Sequence, residues 1–418
     1  MQFAFAIAGL PLRLPTHRYC KENSMTIAAA RAHAAAQSIQ KVEAFFMSYK
    51  AAVERTPAVA DFTFGNPQEM PLPGLIDAIK KHAEPRSVDW YAYKSNEIDA
   101  CAFLADVLSV ELELPFEPED IALTKGAFGA IKMCFTMLLE FGDECIVPLP
   151  GWFCYGPMLA AAGAKEVQVP LDPGNFDMDL QAIADSITPR TRIVVVNTPH
   201  NPTGRIYSRA DLRKLANLLE AKSAQIGRRI WILSDEPYRR IRFDGLGFTT
   251  PAAVYPHTLI DYSYAKILLA PGLRLGYLAI SPALSASERD ELRQLRFAVQ
   301  MADGWNVPDA PLIYAIPDLE VVSLDIAALA RRRDRMLSAL TQWGYDLTRP
   351  EGTFYLWGHA PGGDSAAFAG RLQKSGVYVM PGTMFDRPSD FRVCLTATDE
   401  MIENALPAFQ AAADQPSG

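Results

Sequence analysis

The sequence predicts an α/β protein of two domains, on three observations. Apolar strand-like runs alternate with helical patterns along most of the chain, the arrangement that gives a largely parallel sheet covered by helices. At least one run, IVVV at 193–196, is apolar without interruption, as a strand buried on both faces is. At 418 residues the chain is also too long for one simple core.

Composition excludes some functions. Hydrophobic residues at 49% and charged residues at 21% describe an ordinary globular protein, and a net charge of −8 argues against nucleic-acid binding. The six cysteines show neither C-x-x-C pairs nor zinc-ligand spacing, which fits scattered thiols in a reducing cytoplasm. The first 24 residues hold a short apolar run with no basic residue ahead of it, so no secretory signal is expected. They are either an over-extended start before Met25 or a loose arm.

An Ala-rich helical pattern over 28–52 is a candidate arm for packing on a second subunit. DFTFGNPQ then reads as a short strand and a turn at Gly65-Asn66-Pro67, with a helix behind it. WYAYKSNEIDA leads through Tyr91, Tyr93 and Asn96 into another helix; asparagine tolerates the left-handed conformation a turn there would need. IALTKGAFGAIKMCF is strand, glycine turn, helix. The amides of Gly126, Ala127 and Phe128 then stand at a helix N-terminus, where dipole and free N–H groups favour a phosphate. DECIVPLPGWFCY runs from a strand into a Pro-Gly loop carrying Trp152. RIVVV ends in NTPHNPTG, in which His200 shapes the loop and Asn201 follows it. RRIWILSDEPYRRI delivers Asp235 at a strand's carboxyl end, with Glu236 as the alternative acid and Tyr238 three residues on.

The stretch DYSYAKILLAPGLRLG, 261–276, concentrates the chemistry. Lys266 is its only lysine, among apolar neighbours. Desolvation disfavours an ammonium, so lysines in such surroundings are the ones that act as nucleophiles on carbonyls. Ser263 precedes it by three residues, and Arg274 follows by eight behind a Pro271-Gly272 turn. A hydroxyl and a guanidinium fork around a nucleophilic lysine suit a phosphorylated aldehyde. Beyond lie a strand, YLAIS, a long bridging helix, SERDELRQLRFAVQ, and a segment with Trp305 and Asn306 that marks a substrate wall or a helix start. The Arg331–Arg333 run reads as a solvated helix face. EGTFYLWGH, VYVMPGTMF and DFRVC are strands of a smaller domain.

Taken in order, the glycine turn, N-T-P-H-N-P-T-G, D-E-x-Y and S-x-x-K-x4-P-G-L-R-x-G resemble class I and II aminotransferases, pyridoxal-phosphate enzymes of fold type I, from about residue 61 to 413. The resemblance implies a large domain (61–295) with a mostly parallel seven-stranded sheet. It also implies a smaller C-terminal α/β domain (296–418), with residues 1–60 as an arm. It assigns Lys266 to the cofactor Schiff base, Asp235 to the pyridine nitrogen and Asn201 with Tyr238 to the ring oxygen. Trp152 would stack on the ring, or cap the core. Gly126, Ala127, Phe128, Ser263 and Arg274 would hold the phosphate, and Arg392 the substrate α-carboxylate. Gly65 would line the substrate site, or be an ordinary turn. The resemblance implies a homodimer with its sites at the subunit interface, in which Tyr91, with Tyr93 as its rival, would reach the phosphate of the other subunit, or else pack in the core.

The implied reaction moves an amino group from an amino acid to a 2-oxo acid, with a cytoplasmic location. The same scaffold also supports lyases, decarboxylases and oxidases, and Ala265 stands where many relatives have serine. A ligand-sensing transcription regulator would need a DNA-binding helix-turn-helix ahead of the domain, and about sixty Ala-rich residues leave no room for one.

Overall fold

The computed structural model describes residues 27–413; the N-terminal stretch discussed above, with Cys20, lies outside the described residues. Among the described residues twelve strands fall into two sheets. In chain order they are β1 (Ala60–Phe62), β2 (Ile121–Thr124), β3 (Glu144–Leu149), β4 (Lys165–Pro170), β5 (Thr191–Asn197) and β6 (Trp231–Asp235). There follow β7 (Thr258–Ser263), β8 (Gly276–Ile280), β9 (Leu347–Thr348), β10 (Tyr355–His359), β11 (Val377–Pro381) and β12 (Asp390–Cys394).

The larger sheet has seven strands in the order β2-β8-β7-β6-β5-β3-β4, and only β8 runs against the rest. Its middle is buried on both faces, so Ile193 to Val196 need no polar alternation. The helix Gly126–Leu138 covers one face and is accordingly apolar nearly all round, burying Ala130, Ile131, Met133, Cys134, Phe135 and Leu138. The second sheet, β1-β11-β12-β10-β9, is antiparallel apart from the β1–β11 pair. Residues just past position 60, expected in the larger domain, thus pair with the smaller sheet.

Two local expectations are corrected, and a third segment gains definite contacts. Asn96 does not have a positive φ. Its Oδ1 accepts from Leu123 N at 2.8 Å, while its amide donates to Gln300 Oε1 at 2.8 Å; Gln300 Nε2 in turn donates to Leu123 O at 2.7 Å. The two side chains cover the open edge of β2, where free backbone groups would otherwise stand. Arg332 and Arg333 are buried rather than solvated. Arg333 forks onto Asp244 at 2.9 Å through both terminal nitrogens and lies 4.5 Å from the Phe243 ring centre. A charge run in sequence is silent about which of its members turn inward. The Trp305–Asn306 segment braces the phosphate-type turn: Asn306 Nδ2 donates to Gly129 O at 2.8 Å, and its Oδ1 accepts from Lys125 N at 3.2 Å.

The helix Ala30–Arg55 buries only Val42 and Ala52 and packs on the helix Tyr155–Ala162. Among the described residues no helix is long and apolar enough to cross a membrane.

Candidate active site

Parallel strands point their carboxyl ends at one edge, and in open α/β sheets that edge receives the ligand. Here β2 leads to Gly126, β5 to Asn201, β6 ends at Asp235 and β7 ends at Ser263, just before Lys266. Because β8 runs the other way, Arg274, two residues ahead of its first residue, arrives at the same edge.

Gly126 has φ +73°, which L side chains rarely adopt, and opens its helix. A methyl group placed on it would stand 3.0 Å from Arg274 Nη2 and 3.3 Å from Ser263 Oγ. Glycine thus leaves a cradle of backbone amides, a hydroxyl and a guanidinium. Arg274 donates to Pro271 O at 2.8 Å and has no carboxylate within ion-pairing distance among the described residues. Burial alone pulls its pKa down. Such a cation, at a helix N-terminus, is arranged for an anion. Ser263 also accepts from Ala265 N at 3.3 Å, capping the short turn that carries Lys266.

Lys266 Nζ lies 5.5 Å from the Tyr238 ring centre and 5.9 Å from that of Phe354, and is half-buried. Asp235 is buried; its Oδ2 accepts from Tyr155 Oη, while no donor among the described residues reaches Oδ1. Burial raises its pKa, against the pull of Tyr155, Asp261 and Lys266. Glu236, one residue on, accepts from Ser234 Oγ at 2.7 Å and Thr250 Oγ1 at 2.6 Å. Burial pushes it up to about 7, and its partners are structural. Trp152 meets Phe128 edge-on at 4.7 Å and Tyr155 at 5.3 Å, and lines a small cleft with Asn197 and His200. His200 is buried against Thr203 Oγ1 at 2.8 Å, and burial lowers its pKa to about 3, so it stays neutral and shapes the loop.

The smaller sheet closes the other side. Arg392 on β12 donates to Asn201 Oδ1 at 2.9 Å and to Thr63 O at 3.0 Å, and its guanidinium lies 3.9 Å from the Tyr355 ring centre. Its Nε is buried with no acceptor among the described residues. Tyr238 and Tyr355 pair through their hydroxyls at 3.1 Å. A Cβ on Gly65 would meet Phe354 Cε2 at 2.7 Å and the Tyr355 hydroxyl at 3.0 Å, so the position needs glycine for close approach.

Gly65, Gly126, Ser263, Lys266, Arg274, Asp235, Tyr238, Asn201 and Arg392 are therefore brought together along this edge, with the first turn at Ala127 and Phe128 and with Trp152 beside them. Tyr91 is not. It is 56% exposed, and its hydroxyl donates to Ala83 O. Sequence reasoning missed Tyr155, Tyr355 and Asp261. For Asp261 and Tyr155 only a place on or just past a strand that ends at this edge was a hint; Tyr355, which opens β10 of the smaller sheet, gave none.

Residues 57–409 match the family described as aminotransferase class I and II. A probable aspartate/prephenate aminotransferase of Thermus aquaticus is 30% identical over 73% of this chain and 79% of its own. An LL-diaminopimelate aminotransferase of Dehalococcoides mccartyi is 29% identical over 83% and 89%. Among solved structures, an aminotransferase from Eubacterium rectale superposes with a TM-score of 0.81 at 30% identity, covering 93% of this chain and 96% of that one. The aspartate aminotransferase of Thermus thermophilus with maleate gives 0.75 at 26% identity, covering 93% and 100%. Match, likeness and strand-end geometry agree over nearly the whole described chain: it belongs to the class I and II aminotransferases, and it is a transaminase.

Proposed function

We propose that this transaminase works with pyridoxal 5′-phosphate held along the carboxyl edge of the larger sheet, and that it takes an amino acid and a 2-oxo acid as its substrates. The observation that carries the reading is the cradle at Gly126, with a guanidinium that has no carboxylate partner among the described residues and a serine hydroxyl on its rim. Such a cofactor, when bound, supplies an aldehyde for amine exchange and a ring that takes up the charge left on the substrate's α-carbon. Arg274, Ser263 and the amides at Gly126, Ala127 and Phe128 hold the phosphate. Asp235, whose Oδ1 has no donor among the described residues, serves the ring nitrogen; Asn201 and Tyr238 serve the ring oxygen, and Trp152 packs on the ring. Lys266 carries the covalent attachment, and its freed amine takes the substrate α-proton as general base. Arg392, with an unfilled Nε, holds the α-carboxylate, and Gly65 gives the substrate room beside it.

The residues also suit a homodimer in which Tyr91 reaches the partner's phosphate. Tyr91, Tyr93, Ile98, Phe297 and Met301 all expose large apolar surface, and Trp305 joins their region through Tyr93 at 5.0 Å. We further read residues 61–295 and 296–418 as the two domains, with β1 reaching across to the second.

Borohydride reduction of the cofactor-loaded protein tests the assignment: peptide mapping is expected to find the cofactor fixed on Lys266, and fixation on another lysine rejects it. A donor panel with aspartate and LL-diaminopimelate, the substrates named for similar enzymes, then sets the specificity. Stoichiometric 2-oxo acid is the expected product, whereas release of ammonia, carbon dioxide or peroxide would point to a different chemistry on this scaffold.

A further inference from the structure

Asp235 and Asp261 are register partners on the parallel pair β6–β7, so their side chains leave the same face of the sheet side by side. Both are buried, Asp261 completely. Among the described residues, no N–H or neighbouring hydroxyl reaches either oxygen of Asp261, or Oδ1 of Asp235. The groups around Asp261 are Asp235 at the end of β6, Tyr155 from the helix Tyr155–Ala162 and Cys134 from the helix Gly126–Leu138, with the charge of Glu236, just past β6, acting from farther off; none is a cation. The field of Lys266 falls on Asp235 instead.

Two carboxyl groups in contact in a dry site do not both ionise, so the pair retains one proton. Asp235 has the Tyr155 donor and the nearby Lys266 to favour its charge. Asp261 has neither and lies against Asp235 in the negative field of Glu236 as well, so the proton resides there. Burial and the neighbouring Asp235 both push Asp261 well above the ordinary carboxylate range, in the same direction as the geometry.

We propose that Asp261 is a protonated positioning residue, whose hydroxyl donates to the Asp235 carboxylate and, with Tyr155, keeps that group anionic and aimed at the cofactor. The inference rests on the assignment of Asp235 to the ring nitrogen. Without the Asp261 proton, Asp235 has one donor instead of two to offset its burial, and it takes up a proton more readily itself.

Infrared spectra of the protein with and without cofactor, at mildly alkaline pH, test the proton directly. A protonated-carboxyl stretch is expected in the wild type and in Glu236→Gln and is absent from Asp261→Asn. A band that survives Asp261→Asn and disappears in Asp235→Asn overturns the proposal. Kinetics give a second readout. Asp261→Val is expected to lower kcat about ten- to a hundredfold with little change in KM, since a hydrogen bond to an anion is lost. Its melting temperature stays equal or rises, because an apolar side chain replaces an unpartnered buried acid. Asp261→Asn, whose amide can donate in place of the hydroxyl, restores kcat to within about threefold of wild type. Wild-type kcat in Asp261→Val, or equal damage in both variants, overturns the proposal. If Asp261→Val does not fold, the Asp261→Asn spectrum decides. Wild-type-like proton abstraction in Asp235→Asn removes the underlying assignment together with the proposal, whereas damage there with silent Asp261 variants removes the proposal alone.

Discussion

At Asp235, burial and hydrogen bonding pull in opposite directions. Burial raises the pKa, while Tyr155, Asp261 and Lys266 favour the anion. An anion held in a water-poor site is what a protonated ring nitrogen needs as a partner. Asp235→Asn keeps the size and a hydrogen bond but removes the charge. If that costs roughly 3–5 kcal/mol, α-proton abstraction slows by about two to four powers of ten. The rate of α-deuterium exchange from labelled substrate measures this, and unchanged exchange in the folded, cofactor-loaded variant would show that Asp235 serves some other group. Arg392 makes a different kind of contribution. Two of its nitrogens are already spoken for by Asn201 and Thr63, which fixes the plane of the fork, and Tyr355 lies against its face. Arg392→Lys keeps the charge but loses planarity and bidentate geometry, so KM for every amino acid should rise by the equivalent of about 1–3 kcal/mol while cofactor binding persists. Steady-state kinetics with several donors check it; unaltered KM for the best donor takes Arg392 out of the substrate site.

The elements explain why some of this was legible in the sequence and some was not. Lys266, Ser263 and Arg274 fall within one stretch because a strand end, a short capped turn and the start of the reversed β8 lie next to each other in the chain. Asn201 and Asp235 sit just past or at strand ends, where position alone marks them. Asp261 and Tyr355 acquire their meaning from strand register and from the face each side chain takes, which a single sequence does not display. Arg333 shows the same limit, since its burial depends on Asp244 from a distant loop. The loop after β5 offers a test at this scale. His200 titrates near 3 in the fold and near 6.5 in an unfolded chain, because burial disfavours its charge. Between those values the unfolded chain carries the extra proton, so stability is complete above about pH 6.5 and declines as the pH falls toward 3. By pH 5 the loss attributable to His200 reaches up to about 2 kcal/mol. Urea unfolding at pH 7.5 and pH 5 should therefore show a smaller pH difference for His200→Asn than for the wild type; an equal difference would mean that His200 is hydrated in the fold.

For the whole molecule, the position of Tyr91 is the decisive feature. It stands exposed and apart from the cradle of its own chain, so if it contacts a phosphate at all, that phosphate belongs to another subunit. A twofold dimer makes such an exchange reciprocal: each subunit lends its Tyr91 and receives its partner's. Two inactive variants then become complementary. Lys266→Ala subunits lack the attachment point but keep a native Tyr91, and Tyr91→Ala subunits keep Lys266 but lend no hydroxyl. In a mixed dimer, the site built around the intact Lys266 receives the intact Tyr91 and is wild type in every residue, while its twin lacks both. With equal amounts and random reassociation, half the dimers are mixed and each holds one native site, so activity should recover to about a quarter of the wild-type value. The assay is turnover after joint denaturation and refolding of the two variants, against each refolded alone. A chain that uses only its own residues gives no recovery beyond the average of the two parents, and that result would assign Tyr91 to the surface of its own subunit.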